Sequence, residues 1–283
     1  MRAADSIGRR IRTSATLVVT LLAGLALTVV PASATEGPMF WVGDVSIDEP
    51  SDAARPLLVR VPVTLSDPAR APITFAWRVS GGTATPGVDY ISPFDFRTFT
   101  IGERSATQRV GYIPIKILDD DELEGEEEPE TIEIEIFAWD APGLLAMKRF
   151  ATITIEDDLD FSGVEGFERG LLIGEVSALE GIGGGATSVY VPVVIDRPLD
   201  RDVRFTWQML PGFSSADASD LRVTTGRGII RAGQSVGGFA VAIKAGLVGE
   251  GPESVALTVI PDDQTIVNWG GLGFLRIVDV TPT

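Results

Sequence analysis

Val61-Pro62-Val63-Thr64-Leu65 and Ile73-Thr74-Phe75-Ala76-Trp77 recur 130 residues later as Val191-Pro192-Val193-Val194-Ile195 and Val203-Arg204-Phe205-Thr206-Trp207. Each block is rich in β-branched and aromatic residues, the composition of a half-buried strand. Four further pairs follow in the same order. Val45-Ser46-Ile47-Asp48-Glu49 matches Val176-Ser177-Ala178-Leu179-Glu180, and Ile113-Pro114-Ile115-Lys116 matches Val241-Ala242-Ile243-Lys244. Pro129-Glu130-Thr131-Ile132 matches Pro252-Glu253-Ser254-Val255, and Ile153-Thr154-Ile155-Glu156-Asp157 matches Leu275-Arg276-Ile277-Val278-Asp279. Six ordered blocks at offsets between 122 and 131 identify a tandem duplication.

Between the strands lie turn clusters such as Ser80-Gly81-Gly82 and Thr85-Pro86-Gly87. Short strands at regular spacing with Gly/Pro turns predict an all-β chain of two tandem antiparallel β-sandwiches. Trp77 and Trp207, at equivalent strand positions, are expected to anchor the two cores.

The N-terminus reads differently. Arg9, Arg10 and Arg12 precede an uncharged apolar stretch from Ala15 to Val30, and Pro31-Ala32-Ser33-Ala34 supplies a small-residue cleavage pattern. This predicts a signal peptide over 1–34, cut after Ala34, and hence a secreted, extracellular or periplasmic protein with no membrane span after cleavage. The Arg9-Arg10 pair is a weak match to twin-arginine export. An uncleaved segment would instead leave the chain membrane-associated, although 16 residues is short for a span of about 20. The expected domains are 35–160 and 172–283, joined by a linker over 161–171.

The 283-residue chain carries a net charge of −17. Removing residues 1–34 takes away four arginines and one aspartate, leaving 19 basic and 39 acidic residues and a net charge of −20. Such a field repels nucleic acid and attracts cations. The chain has neither cysteine nor histidine. Ser-His-Asp and Cys-His catalysis and the usual zinc sites are therefore excluded. A metal here takes oxygen ligands, which favours Ca²⁺ or Mg²⁺.

One segment concentrates the charge. Asp119-Asp120-Asp121-Glu122-Leu123-Glu124-Gly125-Glu126-Glu127-Glu128-Pro129-Glu130 holds nine acids in twelve residues, directly after a predicted strand. Like charges this close repel unless a cation compensates them. The run reads either as a calcium loop or as a solvated acidic loop. Other acids of the first repeat favour the loop of ligands: Glu49, Asp89, Asp157 and Asp158 all lie at predicted strand ends or turns, which an antiparallel sandwich gathers at its poles.

The first repeat, from about Phe40 to Asp158, resembles a Calx-β domain. The likeness rests on Gly82-Thr83-Ala84-Thr85-Pro86-Gly87-Val88-Asp89-Tyr90, on Asp119-Asp120-Asp121-x-x-Glu124-x-x-Glu127, and on Ile155-Glu156-Asp157-Asp158. The resemblance implies a seven-stranded immunoglobulin-like sandwich with Ca²⁺ at the distal loops. Carried over by position, the ligands would be Glu49, Asp89, Asp119, Asp120, Glu124, Glu127, Asp157 and Asp158, with a backbone carbonyl near Glu122. Two departures limit the expected number of ions to one or two. Glu128-Pro129-Glu130 intervenes before the next strand, and Leu159 stands where the best binders have a third aspartate.

The second repeat is a degenerate copy. Ser214-Ser215-Ala216-Asp217-Ala218-Ser219-Asp220 replaces the Gly-Thr-Ala-Thr stretch, and Ala245-Gly246-Leu247-Val248-Gly249 stands in place of the aspartates. Glu180, Asp220, Glu250, Glu253 and Asp279 survive. This copy is expected to be structural. The chain as a whole reads as a non-enzymatic, calcium-binding, adhesive or structural module, with calcium and a cell-surface protein or polysaccharide as partners. The alternatives are a carbohydrate-binding sandwich using Trp41, Trp139 or Trp269, and a glycoside hydrolase built on paired carboxylates.

Overall fold

In the computed structural model the described residues are 38–49, 56–91, 96–118, 129–156, 168–180, 185–245 and 251–279. The first copy supplies β1 (Met39–Val42), β2 (Val45–Asp48), β3 (Leu57–Leu65), β4 (Ile73–Gly82), β5 (Tyr90–Ile91), β6 (Arg97–Ile101), β7 (Val110–Ile117), β8 (Glu130–Ala138), β9 (Leu145–Lys148) and β10 (Phe150–Glu156). The second supplies β11 (Arg169–Ile173), β12 (Glu175–Leu179), β13 (Ala186–Ile195), β14 (Val203–Met209), β15 (Thr225–Ile230), β16 (Val236–Lys244), β17 (Glu253–Pro261), β18 (Ile266–Asn268) and β19 (Gly273–Val278). Among the described residues the helical content is a three-residue 3-10 turn, Pro211–Phe213, and no helix is long and apolar enough to cross a membrane. Strand β11 begins at Arg169, inside the span expected to be linker, because it pairs with β18 from Arg169 and with β13 from Leu171 onward.

The alternation read from sequence is the burial pattern. In β3, Val59, Val61 and Val63 face the core while Arg60 is exposed. Trp77 and Trp207 are both buried. The first core adds an edge-to-face contact of Phe40 on Phe75 at 5.2 Å and a stack of Phe75 on Phe99 at 5.4 Å. In the second, Trp207 stacks on Phe239 at 4.9 Å.

Each copy is a two-layer sandwich. In the first, β5-β7-β3-β1-β9 faces β2-β10-β8-β4-β6. In the second, β18-β11-β13-β16 faces β15-β14-β17-β19-β12, the layers meeting at the pair Ile229–Gly238. The backbone registers give the equivalences between copies directly. With Val61 set against Val191, the pairs Val61↔Ile113 and Val191↔Phe239 make Phe239 the counterpart of Ile113. The expected match of Ile113–Lys116 to Val241–Lys244 is therefore two residues out, and its true counterpart is Phe239–Ala242. A two-residue slip keeps every side chain on its own face, so the apolar pattern fits both registers.

The copies are joined by strand pairing. β2 and β12 run antiparallel with Val45↔Val176 and Ser46↔Glu175 in register, which joins the β2-β10-β8-β4-β6 layer of the first sandwich to the second sandwich in a continuous 14-stranded sheet that, through the Ile229–Gly238 pair, takes in both layers of the second copy. Because Val45 and Val176 are themselves equivalent, the seam has a local two-fold axis. Gly43 and Gly174 occupy matching places beside it. A Cβ on Gly43 would meet the Ser177 carbonyl oxygen at 1.9 Å, and one on Gly174 would meet the Ser46 carbonyl oxygen at 2.6 Å. Only glycine permits that backbone approach. The Asp44 N–H donates to Ser177 Oγ at 2.8 Å, and the Leu179 N–H donates to Thr64 Oγ1 at 3.0 Å. Tyr112 Oη accepts from the Tyr190 N–H at 3.0 Å, and the Arg60 guanidinium lies 5.0 Å from the Tyr190 ring centre. Each strand would otherwise be a free sheet edge, which is a liability for aggregation.

Candidate metal centre

One pole of the first sandwich collects the acid-bearing strand ends. β2 and β10 run parallel, with Asp48 beside Glu156, and the Glu49 N–H donates to the Glu156 carbonyl at 2.9 Å. Glu49 is thereby fixed next to the residue that precedes Asp157. On the other layer β5 pairs with β7 through Tyr90↔Ile117, and the Leu118 N–H donates to the Asp89 carbonyl at 2.7 Å. Asp89 is thereby fixed next to the residue that precedes Asp119. Within the β8–β4 layer, the Ala84 N–H donates to the Thr131 carbonyl at 3.0 Å, carrying the β4–β8 pairing past Gly82 at this end.

Of the eight expected ligands, Glu49 and Asp89 lie within the described residues. Both are deeply buried, at 5% and 4% exposure. Buried carboxylates are rare without partners. The Thr85 N–H donates to Asp89 Oδ2, closing the Thr85–Asp89 turn, with Gly87 at φ +88° within it. Asp119, Asp120, Glu124, Glu127, Asp157 and Asp158 lie outside the described residues, as do the signal segment 1–34 and most of the linker. Among the described residues no three His, Cys, Asp or Glu side chains group as a metal site. The two that are described fit a hard cation in donor chemistry and in placement: oxygen ligands at strand ends, one on each layer.

A second carboxylate group, at the seam, had no signal in the sequence. Asp48, Glu156 and Glu175 line a cavity of about 370 Å³ together with Ser46 and Thr154. Burial, then the charge of Glu156, raises the Asp48 pKa to about 6, with a smaller contribution from Glu175. Burial and Glu156 also raise the Glu175 carboxyl. Ser46 Oγ donates to Glu156 Oε1 at 3.4 Å. Glu175 arrives from the other copy through the β2–β12 register, which local patterning does not encode.

The matching pole of the second sandwich keeps the backbone and changes the charges. The Glu180 N–H donates to the Val278 carbonyl at 2.8 Å, and the Lys244 N–H donates to the Asp220 carbonyl at 2.7 Å. These repeat the Glu49–Glu156 and Asp89–Leu118 bonds, so Lys244 stands where the first copy has Leu118. Its ammonium donates to the Ser219 carbonyl at 2.8 Å. Hydrogen bonds from Ser219, with a lesser effect from Lys244, hold the Asp217 carboxyl below its ordinary range. Glu180 and Asp279 are buried like Glu49.

The tryptophans outside the cores separate. Trp41, half-buried in β1, carries the Lys148 ammonium 5.2 Å from its ring centre. Trp139 and Trp269 are 72% and 47% exposed.

No protein-family model matches the chain, and no curated protein does. Among solved structures, the apo-form Calx CBD1 domain aligns over 44% of this chain and 100% of its own, at 20% identity and a TM-score of 0.35. CBD12 from CALX1.2 aligns over 84% and 99%, at 14% identity and a TM-score of 0.33. A two-domain protein of unknown function from Bacteroides fragilis aligns over 86% and 93%, at 8% identity and a TM-score of 0.31. The sandwich assignment rests on the strand pairing above, not on these likenesses.

Proposed function

We propose that the chain is an exported, non-catalytic module whose first copy binds Ca²⁺ at the pole where Glu49 and Asp89 stand. The observation that carries this reading is the pair of main-chain bonds, Glu49 to Glu156 and Leu118 to Asp89. They hold one buried carboxylate beside each point where the chain runs into an acidic segment, Asp157-Asp158 on one layer and Asp119 onward on the other. Glu49, Asp89, Asp119, Asp120, Glu124, Glu127, Asp157 and Asp158 form the proposed ligand set, for one or two ions. A bound cation offsets the mutual repulsion of these carboxylates. The chain's own contribution is the fixed sheet frame that presents them. The second copy, with Lys244 in the corresponding pole, is proposed to be structural, and cleavage after Ala34 to release the mature chain for a surface or extracellular role in adhesion.

Calcium titration of residues 35–283 by calorimetry, with thermal melts in calcium and in EDTA, tests the reading. The expected result is saturable calcium binding and a melting temperature that rises with calcium, both abolished in Asp119→Asn/Asp120→Asn. A ligand at one hundred times its Kd stabilises by about 2.7 kcal/mol per site. A melting temperature indifferent to EDTA and a flat titration would overturn it.

A further inference from the structure

A cavity of about 330 Å³ opens on the outer surface of the second sandwich, where β14 and β15 pair. Arg204, Arg227 and Arg231 line it, over a wall made by Phe205, Gly228 and Ile229. Three arginines around one concavity stand out in a chain of net charge −17. Their carboxylate neighbours only partly engage them. Arg231 Nη1 donates to Asp202 Oδ2 at 2.9 Å, but Arg204 Nη2 is 3.9 Å from that oxygen and Arg227 Nη1 is 3.7 Å from Asp262 Oδ2. Both longer separations exceed a hydrogen bond. All three side chains are largely exposed at their outer ends.

The duplication supplies an independent argument. The register Ile73↔Ile101 against Val203↔Ile230 makes Thr74, Thr98 and Gly102 the first-copy counterparts of Arg204, Arg227 and Arg231. The sandwich framework therefore does not require arginine at these places. The second copy has acquired a cation at all three, and all three line the same cavity. The cavity floor has a packing cause. A Cβ on Gly228 would meet the Phe205 ring at 2.2 Å, so glycine is needed there to admit the buried, core-facing ring.

We propose that this cavity binds a carboxylate-bearing sugar unit of the uronate class. Guanidinium presents a planar donor fork that matches a carboxylate in bidentate fashion. Arg204 and Arg227 are the two with donors to offer, while Arg231 is held by Asp202 and shapes the rim. Ile229, half-buried in β15, gives the apolar contact against which the C–H face of a pyranose packs. The volume lies at the small end of the range for small-molecule sites, about 300–1,000 Å³. An anionic bilayer is the less suitable source of the anion, because an acidic protein is repelled by an extended surface of like charge.

Calorimetry of the mature chain in EDTA, which silences the calcium pole, tests this with four probes: a galacturonate trisaccharide, a neutral galactose trisaccharide, inorganic sulfate and phosphatidylglycerol vesicles. The expected result is binding of the galacturonate probe alone, weakened about tenfold for each arginine removed in Arg204→Gln and in Arg204→Gln/Arg227→Gln. These side chains are exposed, and unchanged melting temperatures confirm that the variants fold. The proposal fails if the galacturonate probe gives no heat, or if the double variant binds it as well as the parent does. It also fails if sulfate binds equally, which marks a non-selective anion site, or if the vesicles bind and the trisaccharide does not.

Discussion

The matching poles of the two copies handle charge in opposite ways. In the first copy the backbone bonds at Glu49 and Asp89 frame the entry to an acidic run, and the residue at the Asp89 bond is the uncharged Leu118. In the second copy the same bonds persist at Glu180 and Asp220, the aspartate run is gone, and the residue at the bond is Lys244. The Lys244 ammonium donates to the Ser219 carbonyl, and hydrogen bonds from Ser219, with a lesser effect from Lys244, lower the Asp217 carboxyl. The two poles share one backbone frame, and single side chains set the charge that each carries.

Three substitutions break or sharpen that comparison. The largest effect is expected at the frame both poles share. In Gly43→Val the new Cβ would sit 1.9 Å from the Ser177 carbonyl oxygen, so the β2–β12 seam has to part. A loss of about 3 kcal/mol or more is expected in urea unfolding, a size reserved for named steric or core defects. An unchanged midpoint would mean that the seam is not part of the stable fold.

Next comes the exchange of charge strategy itself. Leu118→Lys gives the first copy the cation of the second. Calcium affinity should fall about tenfold or more, a cost of about 1.4 kcal/mol in binding, while the melting temperature in EDTA rises. If calcium binds Leu118→Lys as tightly as the parent, the two poles are not alternatives of one another.

An effect of similar size is expected at the seam cavity. Asp48 has its pKa raised to about 6 in the fold, against an ordinary 3.8. Burial therefore favours its protonated form. The stabilising contribution of that form is complete below pH 3.8 and is lost as the pH rises through about 6. Asp48→Asn should accordingly stabilise the calcium-free chain at pH 7 by about 1–2 kcal/mol, and by nothing near pH 3.5. Equal gains at both pH values would show that ionisation is not the cause.

Local pattern carried much of this molecule. The strand runs, the core roles of Trp77 and Trp207, and the duplication follow from alternation and order, because each reports which face of a strand is buried. The placing of Glu49 and Asp89 at one pole was legible for the same reason, as strand ends in a sandwich have few places to go. The match of Ile113–Lys116 failed by two residues, since alternation has period two and cannot see such a slip. The grouping of Glu175 with Asp48 and Glu156, and of Arg204 with Arg227 and Arg231, was not legible, because each joins residues on different strands.

By itself, then, the sequence determined the strands, their buried faces and the loss of the aspartate run from the second copy, all properties of residues near one another in the chain. The tertiary structure alone decided that two edge strands close on each other about Val45 and Val176, that Lys244 takes the place of Leu118, and that three arginines share one cavity. Hydrogen-bond register across strands sets those contacts, and register is fixed by packing between segments far apart in the chain.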